Sequence, residues 1–134
     1  MADNCVDLSW TVELRQDASW TARSLVTEAL APIAAPSTVA NAALLTGELV
    51  TNVMMHTTDQ RTVVSLLFDP AERLVRIGVT DFSPTRIPTI VPDRSPEVAG
   101  GFGLMLVDGL ADAWGSDLGD DSKTVWFRLD CADA

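Results

Sequence analysis

Thr46-Gly47-Glu48-Leu49-Val50-Thr51-Asn52-Val53-Met54-Met55-His56 is an apolar run that carries a carboxylate and a carboxamide four residues apart. The run reads as helix. Residues at i and i+4 share a helical face with an offset of about 40°, so Glu48 and Asn52 point the same way. Ala43, Gly47, Val50 and Met54 fall on the opposite side. The helix has a packing side and a chemical side. A carboxylate and an amide oxygen held together on a rigid element suit a hard cation, an attacking hydroxyl or water, or both. A solvated Glu and Asn on an amphipathic surface helix give the same pattern, so the choice falls to the rest of the chain.

Working outward, the chain breaks into elements of clear type. Val6–Leu14 alternates loosely around Trp10, Val12 and Leu14 and is read as a strand. Asp17 stands where a helix N-cap belongs, and Ala22, Leu25, Val26, Ala29 and Leu30 recur at helical spacing over Ala18–Ala31. Pro32 and Pro36 bracket the break before the second helix, Ser37–His56. A polar turn at Thr58–Arg61 leads to a strand at Thr62–Phe68. Asp69-Pro70-Ala71-Glu72 has turn chemistry, and Leu74–Asp81 is the next strand, so the two strands are expected to pair as an antiparallel hairpin.

Within Leu74–Asp81, the residues Val75, Ile77 and Val79 share one face, and the period of two puts Asp81 on it. A carboxylate at the core-facing end of a strand is costly unless something hydrogen-bonds it. Asp81 therefore either contacts a ligand or caps the turn that begins at Phe82-Ser83-Pro84. Ser83–Ala99 contains four prolines and no periodicity, and reads as a long loop of the kind that serves as a lid or mobile segment. Its Arg86 and Arg94 read as solvated. Gly100-Gly101-Phe102-Gly103 then feeds a helix over Leu104–Asp112, closed by Trp114-Gly115. Glycines that run into a helix expose N–H groups to an anion, or act as a hinge. A polar turn at Ser116–Ser122 precedes a last strand, Lys123–Leu129.

Composition narrows the function classes. A hydrophobic content of 47% with 21% charged residues fits one globular domain over 1–134 with a real core. The net charge of −10 argues against direct nucleic-acid binding and against a polybasic membrane contact. An anionic ligand would need a divalent cation, backbone N–H groups or a helix N-terminus to compensate. Cys5 and Cys131 lack metal-ligand spacing and are expected as thiols. The N-terminus has no signal-peptide pattern, and no run approaches the roughly 18 apolar residues of a membrane span. A soluble, cytoplasmic protein is expected.

Taken in order, three motifs resemble those of the histidine-kinase-like ATPase superfamily, the GHKL or Bergerat fold. More narrowly, the chain is similar to the anti-sigma-factor serine/threonine kinases and their single-domain relatives. Glu48-Leu49-Val50-Thr51-Asn52 resembles the N box. Val79-Thr80-Asp81-Phe82-Ser83-Pro84 resembles a variant first glycine box. Gly100-Gly101-Phe102-Gly103-Leu104-Met105-Leu106-Val107 resembles the second, and Lys123-Thr124-Val125-Trp126-Phe127 the closing strand.

The resemblance implies an α/β two-layer sandwich, with a mostly antiparallel, mixed sheet of about five strands and three helices on one face. It implies ATP and Mg²⁺ as ligands. Asn52 would ligate the metal and Glu48 would be the general base. Asp81 would accept from the adenine amino group, with Ser83 beside it. Gly101, Gly103 and the Leu104 amide would cradle phosphates, and Thr124 would reach the adenine through water. Implied partners are a sigma factor or a STAS-type anti-anti-sigma protein, whose serine would be phosphorylated, together with a homodimer. A non-enzymatic module that sequesters its partner is the alternative. Two departures favour weaker nucleotide binding: Phe102 stands where many relatives carry Arg, and Met54-Met55 replaces a stretch that often carries one. His56 is expected to cap helix carbonyls.

Overall fold

The computed structural model describes residues 5–82 and 101–131, with backbone alone for 101–103. The elements are β1 (Val6–Glu13), α1 (Ala18–Leu30), α2 (Pro36–His56), β2 (Arg61–Asp69), β3 (Leu74–Asp81), α3 (Gly101–Leu110), β4 (Ala113–Leu118) and β5 (Lys123–Asp130). The five strands form one sheet in the order β1-β2-β3-β5-β4. Every described pairing is antiparallel, so the mostly antiparallel sheet that was expected contains no parallel pair here.

Local chemistry sets the helix boundaries. Pro36 occupies the first turn of α2 after an extended Ala35, which moves the start one residue ahead of Ser37. Proline suits that position because its missing N–H would have had no helical partner. Asp17 does sit at the N-cap of α1, but its side chain makes no capping bond. Its carbonyl accepts from Thr21 N instead. The C-terminus of α2 is closed by Thr57, whose hydroxyl donates to the Val53 carbonyl at 2.8 Å.

Ala18, Ala22, Val26 and Leu30 of α1 are buried at a strict spacing of four. They join the common core, and α1 packs against α2. The contact is close at Gly47, where an added Cβ would lie 2.5 Å from Cδ of Arg23. Ser19 bridges the same crossing: its hydroxyl lies 3.0 Å from the Gly47 carbonyl and 2.5 Å from the Thr51 hydroxyl. Beneath the helices, the inner face of the sheet contributes Val12, Val64, Leu66, Val75, Ile77, Val79, Phe127 and Leu129 to the core. Leu45, Leu49 and Val50 of α2 complete it, with Leu104 and Val107 of α3.

The β2–β3 hairpin forms as expected. Asp69 Oδ1 accepts from the amides of Ala71 and Glu72, and Arg73 closes the turn in the left-handed region at φ 57°. The region after α3 departs from expectation. The helix stops at Leu110, and Trp114-Gly115 belongs to β4 rather than to a helix end. β4 is an edge strand whose Ser116, Asp117 and Leu118 are exposed. It therefore lacks the apolar alternation that marks a buried strand. Cys131, which carries a free thiol, follows β5, and burial pushes its pKa up against the opposing hydrogen bond from Thr38.

Candidate functional site

The polar residues of α2 divide into two groups. Thr46 is fully buried and donates to the Ala42 carbonyl at 2.7 Å. Thr51 is spent on Gly47 and Ser19. These hydroxyls satisfy themselves within the helix pair. Glu48 and Asn52 are different. Both are half-buried, and among the described residues neither side chain has a hydrogen-bond or ion-pair partner. Among the described residues, the Glu48 and Asn52 side chains are thus left available for chemistry on one face of α2.

Asp81 ends β3 on the core-facing side, as its parity requires, and is 3% exposed. Its register partner on β5 is Lys123, also buried, with Nζ 3.5 Å from Oδ2. Burying an unpaired carboxylate costs several kcal/mol or more, and Lys123 supplies the countercharge. Thr62, fully buried, donates to the neighbouring Thr80 carbonyl at 2.6 Å.

Hydrogen bonds tie this end of the sheet to α2. Beyond the α2 terminus, Asp59 accepts from the Phe82 amide at 2.7 Å through Oδ2. The end of β3 is therefore fixed beside the segment that leaves the Asn52 end of α2, and α2 packs directly on β3 and α3. Met55 and Phe82 lie exposed in this region.

The remaining predicted residues fall in three places. Gly101 and Gly103 lie within the first turn of α3, whose opening amides have no helical acceptor. Leu104 comes one residue later, and its side chain is buried in the core. Ser83, the loop with Arg86 and Arg94, and Gly100 lie outside the described residues, and so does the Phe102 side chain.

Thr124 does not join the site. Its hydroxyl lies 2.6 Å from that of Thr80 on the opposite face of the sheet. A step of one residue along a strand reverses the side chain, so position 123, not 124, meets Asp81. Sequence reading had a signal for this. Lys123 shares parity with Val125, Phe127 and Leu129, which makes it a lysine in a core-facing register.

A Mg·nucleotide fits what is present. Among the described residues there is no group of three or more His, Cys, Asp or Glu side chains that could hold a metal alone. Mg²⁺ is commonly held by one or two protein oxygens, with substrate phosphates and water filling its shell. One carboxamide oxygen at Asn52 is in keeping with that. A buried carboxylate at Asp81 is suited to an amino donor on a base. Among the described residues no helix is long and apolar enough to cross a membrane.

A family model, the histidine kinase-like ATPase domain, matches residues 12–129. The chain belongs to that family. Among solved structures it is similar to the crystal structure of the RsbU and RsbW domains of Rv1364c from Mycobacterium tuberculosis. The TM-score is 0.69 at 22% identity, over 93% of this chain and 32% of the other. The chain thus spans about a third of that protein, and the likeness is one of fold. No curated protein matches the chain.

Proposed function

We propose that the protein is a cytoplasmic, ATP- and Mg²⁺-binding regulator of the anti-sigma type. It would act as a single domain on a sigma factor or a STAS-type anti-anti-sigma partner. The observation that carries this reading is the arrangement of α2 against β3. Among the described residues, Glu48 and Asn52 are left without partners on a helix whose end is tied by Asp59 to the strand terminus that buries Asp81. Membership of the histidine kinase-like ATPase family supports it.

In this reading Asp81 accepts from the base, Asn52 supplies an oxygen to the metal, and the first-turn amides of α3 receive phosphate oxygens. When bound, Mg²⁺ neutralises phosphate charge. Glu48 stands four residues before Asn52 on the same face, so it would meet a partner's serine hydroxyl beside the phosphates. It would take that proton as a general base. A homodimer is part of the same proposal. Incubation with ATP, Mg²⁺ and a STAS-type antagonist is expected to yield phosphoserine on the antagonist, and Glu48→Ala to abolish it. No transfer above the Glu48→Ala background would overturn the kinase step. ATP binding that is insensitive to Asn52→Ala would overturn the assigned metal site.

One observation favours a second reading, a non-enzymatic module that sequesters its partner with weak nucleotide binding. Asp81 is already ion-paired with Lys123, so a base has to share that carboxylate. Partner capture with equal affinity in the presence and absence of ATP would favour this reading.

A further inference from the structure

β1 is an edge strand: it opens the sheet order, and among the described residues no strand lies beyond it. The register fixes which of its backbone groups point outward. Glu13 stands opposite Arg61, which sets Leu14 opposite Gln60, and Leu14 N donates to the Gln60 carbonyl at 2.9 Å. A direct bond between opposite residues marks a hydrogen-bonded pair, and such pairs alternate along an antiparallel ladder. Val6, Leu8, Trp10 and Val12 therefore bond to β2. Asp7, Ser9 and Thr11 turn their N–H and C=O groups to the open edge.

An open edge is a template for another strand, and edges are commonly blunted by lysine, proline or a bulge. β1 has neither lysine nor proline, and its register with β2 runs without a break. It also carries an uncovered apolar side chain. Leu8 shares the helix-facing parity of Val12, yet Leu8 is 38% exposed where Val12 is 3% exposed.

The strand complements itself. Laid antiparallel to a second copy with Ser9 opposite Ser9, it sets Asp7 against Thr11, Leu8 against Trp10 and Val6 against Val12. The Ser9–Ser9 and Asp7–Thr11 pairs are then the hydrogen-bonded ones, as the outward groups require. Leu8–Trp10 is a non-hydrogen-bonded pair, in which side chains approach more closely, so each Leu8 is covered by an aromatic ring of the other copy. No charge meets a like charge. Centring on Trp10 would set Asp7 opposite Glu13, and centring on Leu8 would end the pairing at Trp10. Registers between these would set outward backbone groups against inward ones.

We infer that the open edge of β1 is the homodimer surface: two copies pair antiparallel through it, with Ser9 opposite Ser9 across a twofold axis. The two five-stranded sheets then run on as one. The inference rests on the homodimer of the proposed function and assigns its surface.

Two measurements on the full chain test it. The first is sedimentation equilibrium of the wild type, Ser9→Pro and Ser9→Ala. The Ser9 N–H points away from β2, so proline there spares the β1–β2 ladder and removes both hydrogen bonds at the axis. The dimer dissociation constant should rise at least about tenfold. Ser9→Ala keeps the N–H and should leave it unchanged. The second measurement stands even where Ser9→Pro fails to fold. Ser9→Cys is placed in a chain that also carries Cys5→Ser and Cys131→Ser, and is oxidised with copper phenanthroline. Opposed Cα atoms in such a pair lie about 5.5 Å apart, within the span of about 4.4–6.8 Å that a disulfide bridges. A covalent dimer is expected, and none from Leu118→Cys on the opposite edge strand in the same background. A dimer that does not cross-link through Ser9→Cys, or whose dissociation constant ignores Ser9→Pro, would overturn this surface and leave the homodimer standing. A monomeric wild type would overturn both, whereas the nucleotide reading is decided separately by ATP binding.

Discussion

Asp81–Lys123 and Thr80–Thr124 are neighbouring cross-strand pairs on the same two strands, one register step apart. The first pair faces the helices and is almost fully buried. The second faces away from them and is a part-buried hydroxyl contact at 2.6 Å. Around the second pair the outer face is built for packing. Trp126 lies beside Gly78 and Gly115, and the Arg76 guanidinium sits 4.3 Å from its ring centroid. Arg76 also reaches Asp117 at 3.8 Å. Opposite charges on the inner face sit where the effective dielectric is low and each depends on the other. Hydroxyls on the outer face exchange one hydrogen bond for another at little net gain. The period of two thus separates a chemical pair from a structural one across a single peptide unit.

The contrast can be broken by substitution. The largest effect is expected from Asp81→Asn, which leaves the Lys123 ammonium buried without its countercharge. Loss of one partner of a buried ion pair costs about 3–5 kcal/mol, read as a lower urea midpoint at unchanged slope. A loss under about 1 kcal/mol would mean that solvent reaches the pair and that the inner face is not the low-dielectric side.

Gly78→Ala probes the outer face. Its Cβ would lie 2.9 Å from Thr124 Cγ2 and 3.0 Å from Ser65 Oγ. Overpacking of this kind costs about 1–3 kcal/mol. Combining it with Thr124→Ser, which removes the clashing methyl, should recover most of that loss in a double-mutant cycle. Thr124→Val removes the hydroxyl pair alone and should cost about 1 kcal/mol. It should not alter nucleotide affinity. The smallest change is expected from replacing both charges, Asp81→Leu with Lys123→Met. Well-packed apolar substitutes for a buried ion pair are often neutral or stabilising, so chemical denaturation should place this variant within about 1 kcal/mol of the wild type or above it.

The same contrast explains what could be read from the chain beforehand. The long amphipathic α2, the β2–β3 hairpin and the inward parity of Asp81 follow from periodicity and turn chemistry, and the structure has all three. The family-level fold follows from three motifs in order, and the family match agrees. β4 was missed because an exposed edge strand holding Gly115 and Asp117 has no apolar alternation to detect, and Trp114 looks like a helix end. Thr124 was misplaced because a motif resemblance gives an approximate position, whereas the face of a strand turns on a single residue. Parity from Val125, Phe127 and Leu129 would have selected Lys123. The Lys123–Asp81 contact itself depends on the β3–β5 register, which strand sequences alone leave open, because β4 is inserted before β5 in the chain and beyond it in the sheet.

The central claim is that the inner-face carboxylate, and not the outer-face hydroxyl, belongs to a nucleotide site. Titration calorimetry with ATP and Mg²⁺ on the wild type, Asp81→Asn and Thr124→Val tests it most directly. The expected result is binding by the wild type, an unchanged Kd for Thr124→Val, and at least about tenfold weaker binding for Asp81→Asn. Equal affinity for all three, or loss at Thr124→Val with Asp81→Asn unaffected, would contradict it.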